Sequence, residues 1–497
     1  MINYLEYINK IKKMIAHTPV AGLMLISFKQ NIETLIKLLE EIIKENKNLK
    51  EENAKLNIQL KEIELKNKKD SHNSHMPPST DKNKKNENRK YPPKNKSKKK
   101  TGGQVGHKGT TLERNQTPDE IKKYALKGKC KTCELNLSLI TKKTYIKKQE
   151  VDIKFTVYTT DHVVECGKCK CGITHVANHP THLNAPVQYG ASVKGFVSYL
   201  TNYQVMPFER TQDLFRDIFN LPMSEGTIFN VAKQCHKNLF GFEKLAGKAL
   251  LNSKVNHSDE TPMNVNKKKN YLHVLSNDYI TLIKAHASRG FDAINAIGLL
   301  KKFNGFLVSD FFSMYYSLPA KNVACHSHLQ RELTFLIEEF KIKWAKKIKK
   351  FFLRANKELN KFRKKKIPIP YKEQVRYKNE FDQLIIFAII ETPDYNKKGK
   401  KSDAENLLAR FIRHSDSILR FTTDIEIPFT NNLAERDFRM AKTKQKVSGG
   451  FRTFEGLEKY AQLRSYISTV KKQGRNVLQS LNAIFSSQNP NFIELFT

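Results

Sequence analysis

The stretch "SKVNHSDETPMNVN" at residues 253–266 is strand-like and begins a new structural pattern after a helical region. Further segments follow in the order strand, strand, helix, strand: residues 270–277, 279–288, 291–303 and 305–310. Three strands, a helix and a fourth strand are the typical start of a ribonuclease-H-like α/β fold. We therefore predict a multidomain α/β protein whose core, residues 246–446, has this fold.

Helical runs interrupt the predicted core between about residues 329 and 420, for example "KWAKKIKKFFLRANKELNKFRKKK" at residues 343–366. Because lysines fill the positions between the apolar residues, we expect a helical insertion with a lysine-rich solvated face. After the break at Gly449 and Gly450, residues 447–497 are predicted to form a short helical tail.

Three acidic residues occupy matching places on these elements. Asp259 lies in the first strand, Asp310 ends the fourth, and Glu435 lies in the helix-like stretch "IPFTNNLAERDFRMAKTKQKVSGG" at residues 427–450. Since the first and fourth strands of this fold are neighbours, we expect both aspartates at one edge of the sheet and Glu435 on a helix packed across it. Taken singly, each acid is also compatible with an ordinary surface residue. Asn431 and Asn432, one turn before Glu435, are compatible with capping the helix or with contacting a phosphate, and we favour capping.

Hard carboxylate oxygens are the donors that Mg²⁺ prefers. We predict that Asp259, Asp310 and Glu435 are catalytic and bind two Mg²⁺ ions. Two such ions, about 3.5–4 Å apart, would activate an attacking oxygen and stabilise the leaving oxygen of a phosphodiester. Carboxylates rather than amides are required, because the cleavage builds negative charge that only a concentrated positive centre can offset.

Positively charged residues follow Glu435. At 3.6 residues per turn, Arg439, Lys442 and Lys446 share its helix face. Together with Arg436 they are predicted to bind DNA phosphates beyond the metal ions, contacts that position a strand without reading its sequence. A solvated amphipathic helix is the alternative interpretation.

The net charge points to a polyanionic partner. The 497 residues carry a formal charge of +39, and binding to nucleic acid is driven by counterion release. We expect no membrane partner, because no segment reaches about 18 uninterrupted apolar residues. Five of the seven cysteines lie in two tight clusters, which indicates metal binding in a reducing cytoplasm rather than disulfides.

Residues 31–66 carry a heptad repeat. Its seam has two series with seven-residue spacing: Leu35, Ile42, Leu49, Leu56 and Ile63, and Ile32, Leu39, Asn46, Asn53 and Leu60. Asparagines at two core positions favour a parallel dimer in one register. We predict a homodimer through this coiled coil, the alternative being one amphipathic helix packed on its own domain. No structure is assigned to residues 1–30.

A basic segment follows at residues 67–112, where Glu87 is the only acid between residues 82 and 100. Such a sequence cannot bury enough apolar surface to fold. We therefore predict a flexible linker, which is either a tether that grips phosphates or a spacer.

Residues 113–180 contain two Cys-x-x-Cys pairs and one further cysteine: Cys130 and Cys133, Cys166 and Cys169, and Cys171. Strand-like segments such as "FTVYTT" at residues 155–160 lie between the pairs. Four thiolates at this spacing predict a DNA-binding zinc ribbon with one structural Zn²⁺. Cys171 could replace Cys169 as the fourth ligand.

Residues 181–245 are predicted to be helical, with a break at Asn220–Pro222 and a helix cap at Ser224. This pattern is compatible with a helix-turn-helix, and equally with any two short helices. Farther along the chain, Cys325 and His328 indicate either a second metal site or a strand-to-helix junction with a buried thiol, and we favour the junction.

Several motifs occur in one order along about residues 31 to 490. They are "HMPPSTD", "GGQVGHKG", the paired cysteines, "HSDET", "GFLVSDFFSMY", "CHSHLQRE", "NNLAERDFR" and "KVSGGFRTFEG". Together they resemble the transposases of insertion sequence family 66. The resemblance implies a leader coiled coil, a zinc-binding module and a DDE-type catalytic core. It places the family's acids on Asp259, Asp310 and Glu435 and its basic residue on Lys442, whereas residues 1–30 and the fifth clustered cysteine depart from it.

We expect a bacterial DNA transposase that cleaves the ends of its insertion sequence and joins the 3′-hydroxyl ends to target DNA. Its expected partners are the terminal inverted repeats, the target DNA, a second copy of the chain and accessory proteins of the same element. A non-catalytic, dimeric, zinc-containing DNA-binding protein is the main alternative, and a nuclease with the same fold is the second.

Overall fold

The computed structural model describes residues 4–17, 23–70, 72–74, 112–141, 144–486 and 491–496. The chain forms two compact units. The helical unit contains Cys325–Phe429 with the described residues before residue 86, and the sheet unit contains the described residues of Asn86–Ala324 and Thr430–Thr497. The basic stretch between residues 82 and 100, predicted to be part of a linker, lies outside the described residues.

The α-helices of these residues are, in chain order, α1 (Tyr4–Ala16), α2 (Leu23–Lys68), α3 (Ala191–Ser198), α4 (Phe208–Phe219), α5 (Glu225–Asn238), α6 (Phe240–Leu251), α7 (Phe291–Ile297), α8 (His326–Phe340), α9 (Lys343–Lys365), α10 (Tyr371–Glu391), α11 (Asp403–Arg413), α12 (Ser415–Leu419), α13 (Asn432–Asp437), α14 (Arg439–Ser448), α15 (Phe454–Lys472) and α16 (Val477–Ser486). A π-helical turn at Tyr199–Tyr203 directly follows α3. None of the described helices is long and apolar enough to cross a membrane.

The strands are β1 (Cys166–Lys168), β2 (Thr174–Val176), β3 (Val255–Val265), β4 (Lys268–Ser276), β5 (Thr281–His286), β6 (Phe306–Ser309) and β7 (Lys321–Ala324). β3 to β7 form one mixed sheet in the order β5-β4-β3-β6-β7. The predicted order of three strands, a helix and a fourth strand is confirmed from β3 through α7 to β6. β7, directly before Cys325, is the strand of the strand-to-helix junction that the sequence predicts there. The chain is an α/β protein with a mixed sheet.

The register between β3 and β6 decides where the two aspartates lie. The strands are parallel, and His257 on β3 is paired with Val308 on β6. Asp259 lies two residues after His257, and Asp310 lies two residues after Val308. Both aspartates therefore lie just beyond the paired region of the two strands. This adjacency is what the sequence predicts for the first and fourth strands.

Two clusters of buried side chains lie on opposite faces of this sheet. Successive residues of a strand point to opposite faces, and Val274 belongs to one cluster whereas Leu275 belongs to the other. The first cluster includes Ala434 of α13, and the second includes Phe242 of α6. Helices therefore cover the sheet on both faces, and α13 lies on the face of Val274.

Helix α15 lies along the edge strand β5 and supplies hydrogen-bond partners to its backbone. Ile283 N donates to Ser465 Oγ at 2.7 Å, and Thr281 N donates to Thr469 Oγ1 at 3.0 Å. An edge strand otherwise leaves such N–H groups unpaired. Residues 447–497, predicted to be a short tail, thus contain a core helix. Its apolar residues form no single stripe because it is buried on most sides, which hid this role in the sequence.

The stretch expected to form one helix around Glu435 contains two, α13 and α14, separated at Phe438. The buried ring of Phe438 packs in the same cluster as Ala434 of α13 and Ala441 of α14, and this packing holds the break against the sheet. The prediction of one continuous helical face is therefore corrected. Glu435 lies on α13, whereas the three cations predicted to share its face lie on α14.

Helices α4 and α5 are separated where the sequence predicts. Asn220 adopts a left-handed conformation with φ of 48°, and Ser224 Oγ accepts a hydrogen bond from Thr227 N at 3.1 Å. A left-handed residue ends a helix and a serine hydroxyl caps the next one. The predicted break and cap are confirmed.

The cysteine-rich segment at residues 113–180 contains one antiparallel hairpin, β1 with β2, and no strand at residues 155–160. The strand predicted there is wrong. Phe155, Val157 and Tyr158 each expose more than half of their surface, so no second layer covers the side chains that suggested a strand.

The helical unit is built around aromatic side chains. Trp344 and Phe352 of α9, Phe381 of α10 and Phe411 of α11 are fully buried, and their rings pack mainly edge to face. Most lysines of α9 are exposed, as predicted for the insertion. This core accounts for the helical runs that the sequence shows between β7 and α13.

The junction between β7 and α8 buries Cys325 completely, which confirms the preferred structural interpretation of this residue. The neighbouring His326 is also fully buried, and its ring stacks on Phe429 at 4.3 Å between centroids. Burial lowers the pKa of His326 to about 3, so this imidazole is neutral at physiological pH.

Ser465→Ala should destabilise the protein by about 1–3 kcal/mol, because it leaves the buried Ile283 N–H without a partner. Urea denaturation of the variant and the wild type measures this difference in the free energy of unfolding. Ser448→Ala, at an exposed serine of α14, is the matched control and should change nothing. Equal losses in both variants would show that α15 does not protect the edge of β5 in this way.

Candidate active site

The structure places Asp310 and Glu435 near Asp259, beside the interior strands β3 and β6 rather than at an edge of the sheet. Burial raises the pKa of Asp259 well above its usual range, and the carboxylates of Glu260, Asp310 and Glu435 raise it further. Interactions between charges weaken with distance, so these groups lie near one another. The three residues selected from the sequence therefore share one electrostatic environment.

Asn431 fixes α13 on the strand that carries Asp259. Its Nδ2 donates to Ser258 O at 2.8 Å, and its Oδ1 lies 2.9 Å from His257 Nδ1. Because Oδ1 can only accept, Nδ1 of His257 carries the proton. Asn431 makes no side-chain hydrogen bond to its own helix, so the predicted capping role is wrong. Its amide instead ties the start of α13 to β3, at Ser258 and His257, through two buried hydrogen bonds.

A fourth acid, Glu260, lies beside Asp259 and is held by two neighbours. Arg289 Nε donates to Glu260 Oε1 at 2.6 Å, and Tyr315 OH donates to Glu260 Oε2 at 2.5 Å. The Glu260 side chain is fully buried. These ties occupy both carboxylate oxygens of Glu260, so this residue is not free to act as the other acids do.

Arg289 also reaches the turn that carries the second aspartate. Its Nη2 lies 3.9 Å from Asp310 Oδ2, and its guanidinium stacks 4.3 Å from the centroid of the Phe312 ring. Phe312 N donates to Asp310 Oδ1 at 3.0 Å. Sequence reasoning missed Arg289, which lies between β5 and α7 with no motif around it. The one signal in the sequence was the adjacent pair Asp259 and Glu260 in "HSDET", because two neighbouring carboxylates need a cation to balance their charge.

Among the four predicted DNA-binding cations, Lys442 differs from the others. It is half-buried, its Nζ donates to Pro262 O at 2.6 Å, and it interacts with the charge of Asp259. Burial lowers the pKa of Lys442. Arg436, Arg439 and Lys446 are exposed. The structure therefore places Lys442 at the acidic site and the other three at the surface.

The chemistry of the acidic site suits a divalent cation, because its donors are carboxylate oxygens that repel one another. In the part of the chain that the structure describes, no three His, Cys, Asp or Glu side chains are arranged as a group that could hold a metal ion. The three acids thus share one electrostatic environment without forming a complete set of metal ligands among the described residues.

The cysteines of the predicted zinc ribbon lie in tight turns. Glu134 N donates to Cys130 O at 3.0 Å, and Gly172 N donates to Cys169 O at 2.8 Å. Hydrogen bonds from Cys133 lower the pKa of Cys130, and those from Cys171 lower the pKa of Cys169. The structure does not assemble Cys166 and the other four into a metal-binding group within the described residues.

Asp259→Asn should make the magnesium-free protein more stable at neutral pH. The folded-state pKa of Asp259 is raised, so the ionised carboxylate costs folding free energy above that pKa. The cost disappears as the pH falls towards the usual value of 3.8, and the advantage of the variant should shrink with it. Thermal unfolding across pH measures this trend, and Asp161→Asn, at an exposed aspartate, is the control. A variant less stable than the wild type at neutral pH would contradict the clustering of charge.

The residues of the acidic site lie within a part of the chain that matches a known protein family. Residues 27–113 match a family of unknown function, DUF6444. The curated proteins contain no match to the chain. Residues 186–459, more than half of the chain, match the Transposase IS66 family, and this range includes Asp259, Asp310 and Glu435. The chain therefore belongs to the Transposase IS66 family.

Proposed function

We propose that this protein is a DNA transposase that cleaves the ends of its insertion sequence and joins the freed 3′-hydroxyl ends to target DNA. The observation that carries the proposal is the convergence of Asp259, Asp310 and Glu435 in a chain of a transposase family. The net charge of +39 supports DNA as the substrate. Holding three carboxylates close together lowers the stability of the folded protein, because they repel one another. A DNA-binding protein without catalytic activity would not need such a group.

The sheet order supports a ribonuclease-H-like catalytic core. Three antiparallel strands, β3 to β5, are followed by α7 and by β6, which pairs in parallel with β3. We assign this sheet with α13 to the core and Cys325–Phe429 to a helical insertion between β7 and α13. Under this assignment the insertion separates Glu435 from the two aspartates in the sequence without separating them in the fold.

The carboxylates of Asp259, Asp310 and Glu435 would hold two Mg²⁺ ions. Bound there, the ions would supply the concentrated positive charge that phosphodiester cleavage requires. Burial and the neighbouring carboxylates raise the pKa of Asp259, and this supports the fit, because a divalent cation stabilises a buried carboxylate and relieves the repulsion among its neighbours.

The chain's own residues would orient the site and its substrate. Asn431 holds α13 against β3, and Arg289 keeps Glu260 engaged, which leaves Asp259, Asp310 and Glu435 as the available donors. Lys442 would meet a phosphate beside Asp259, and the exposed cations Arg436, Arg439 and Lys446 would bind the same strand farther out. Contacts of this kind position DNA without specifying its sequence.

The segments before the core would bind the ends of the element. We propose that Cys130, Cys133, Cys166 and Cys169, or Cys171 in place of Cys169, bind one structural Zn²⁺ and so order a ribbon in residues 113–180. Tight turns at Cys130 and Cys169 support this proposal, because each turn already brings two cysteines close together. Helices α4 and α5 would add a helix-turn-helix contact with the terminal inverted repeats.

Two copies of the chain would pair through α2, so that both ends of the element are handled together. The predicted seam is exposed on the single chain: Leu39, Ile42, Leu49, Leu56 and Leu60 are each 47–56% exposed. Apolar side chains at this spacing are buried when a second helix packs against them. A seam of this length supports a parallel homodimer, and accessory proteins of the same element would join the complex.

Asp259→Asn, Asp310→Asn and Glu435→Gln should each reduce strand cleavage at least a hundredfold, roughly the loss caused by removing one charge-stabilising group. DNA binding should persist, because the phosphate-binding cations are untouched. Gel analysis of end-containing duplex incubated with Mg²⁺ measures cleavage and joining, and Glu458→Gln, at an exposed glutamate of α15, is the control. Any of the three variants that still cuts donor DNA would remove its residue from the proposed site.

The double variant Ile42→Asp with Leu49→Asp should convert the dimer to a monomer, because it places charges in the apolar seam. Analytical ultracentrifugation measures the change in mass. Lys37→Asp with Lys44→Asp, on the outer face of the same helix, introduces the same residues and should leave the dimer intact. A dimer that survives the seam variant would assign α2 to another role.

A further inference from the structure

Arg464 on α15 is a buried cation that neither the fold nor the proposed reaction explains. It is 6% exposed, and its Nε and Nη1 atoms are buried without a hydrogen-bond partner among the described residues. Its guanidinium lies over the Tyr203 ring, whose centroid is 5.9 Å from Cζ. A guanidinium is rarely buried without a partner, because the loss of hydration costs several kcal/mol.

Two more cations contact the π-helical turn that contains Tyr203. Lys471 Nζ lies 5.6 Å from the centroid of the Tyr203 ring, and Lys444 Nζ lies 3.5 Å from Thr201 O, beyond the usual length of a hydrogen bond. Lys444 is 9% exposed. We call Lys444, Arg464 and Lys471 the cation cluster. Each of its members contacts Thr201 or Tyr203 of the π-helical turn at Tyr199–Tyr203, a kind of turn that is frequent at functional sites.

No carboxylate among the described residues forms an ion pair with the cation cluster. Asp437 interacts with the charge of Arg464, but its Oδ2 already binds Lys472 Nζ at 2.9 Å and Thr281 Oγ1 at 3.3 Å. The hydroxyl of Tyr460, one turn before Arg464 on α15, is also buried without a partner. Donors therefore collect here without an acceptor of matching charge.

We propose that the cation cluster is a binding site for one phosphate group. A phosphate offers several acceptor oxygens and negative charge, and the planar guanidinium of Arg464 matches its geometry. Lys471 is exposed, so the site meets solvent at that residue, whereas Arg464 and Lys444 form its inner part. The phosphate would satisfy the unpaired nitrogens and offset the cost of burying them.

Two sources offer the same phosphate chemistry: a phosphodiester of bound DNA and a free phosphate ion. The DNA source rests on the proposed function. Lys442 and Lys444 are two residues apart on α14 and point to different sides, one towards the acidic site and one towards the cation cluster. DNA bound at both places would be held on two sides of the same helix.

The first experiment measures thermal unfolding of the full chain in inorganic phosphate and in chloride at equal ionic strength. Phosphate should raise the Tm of the wild type with increasing concentration, because it binds the folded state. Arg464→Met should lose this shift, and without phosphate it should be at least as stable as the wild type, since a buried unpaired charge is removed. Lys444→Met is the second variant if Arg464→Met does not fold, and Lys248→Met, at an exposed lysine of α6, should keep the shift.

The second experiment measures the affinity for duplex DNA by fluorescence anisotropy over a range of salt concentrations. If DNA is the source, Arg464→Met and Lys444→Met should weaken binding and reduce the salt slope by about one, as expected for one lost phosphate contact. If a free ion is the source, both variants lose the thermal shift but bind DNA as the wild type does. Neither measurement needs strand cleavage, so a failure of the proposed transposase activity would not affect them.

The proposal is overturned if phosphate raises the Tm of the wild type and the two variants equally and DNA binding is also unchanged. It is overturned as well if Arg464→Met unfolds and Lys444→Met keeps both the phosphate shift and the full salt slope. In either case Arg464 would be a structural residue of α15.

Discussion

The parallel pairing of β3 with β6 is the constraint on which the acidic site depends. His257 is paired with Val308, and this register places Asp259 and Asp310 each two residues beyond that pair on neighbouring strands. A shift of one residue would turn one aspartate to the other face, because side chains alternate along a strand. The site also needs α13 on the correct face, and the amide of Asn431, bonded to His257 and Ser258, secures it. Backbone register and one buried amide therefore position all three acids.

The unfavourable burial of Asp259 among other carboxylates is the second feature of this site. Burial and neighbouring carboxylates raise the pKa of Asp259, so the ionised site is less stable than the separate residues would be. Arg289 limits the cost by binding Glu260, and Lys442 interacts with Asp259. The negative charge of the site is therefore balanced only in part by these two cations. Arg464 is the opposite case, a buried cation whose Nε and Nη1 have no hydrogen-bond partner among the described residues.

Much of the sheet could be predicted from the sequence, because strand-like segments and the order of elements are local patterns. The break at Asn220 and the cap at Ser224 were predictable for the same reason. The convergence of Asp259, Asp310 and Glu435 followed from the fold class. What failed depends on packing between distant segments: the core position of α15, the tie between Asn431 and β3, and the break at Phe438. Arg289 and Arg464 were not predictable, since no spacing in the sequence shows which acid or ring a cation meets.

Manganese binding, followed by electron paramagnetic resonance, tests the central claim most directly. Mn²⁺ takes the same oxygen ligands as Mg²⁺ and is observed without any DNA present. The account predicts that the wild type binds Mn²⁺ and that Asp310→Asn loses most of this binding, while Asp161→Asn, at an exposed aspartate, retains it. Identical titrations for the wild type and Asp310→Asn would contradict the account, because the three acids would then not form a common cation site.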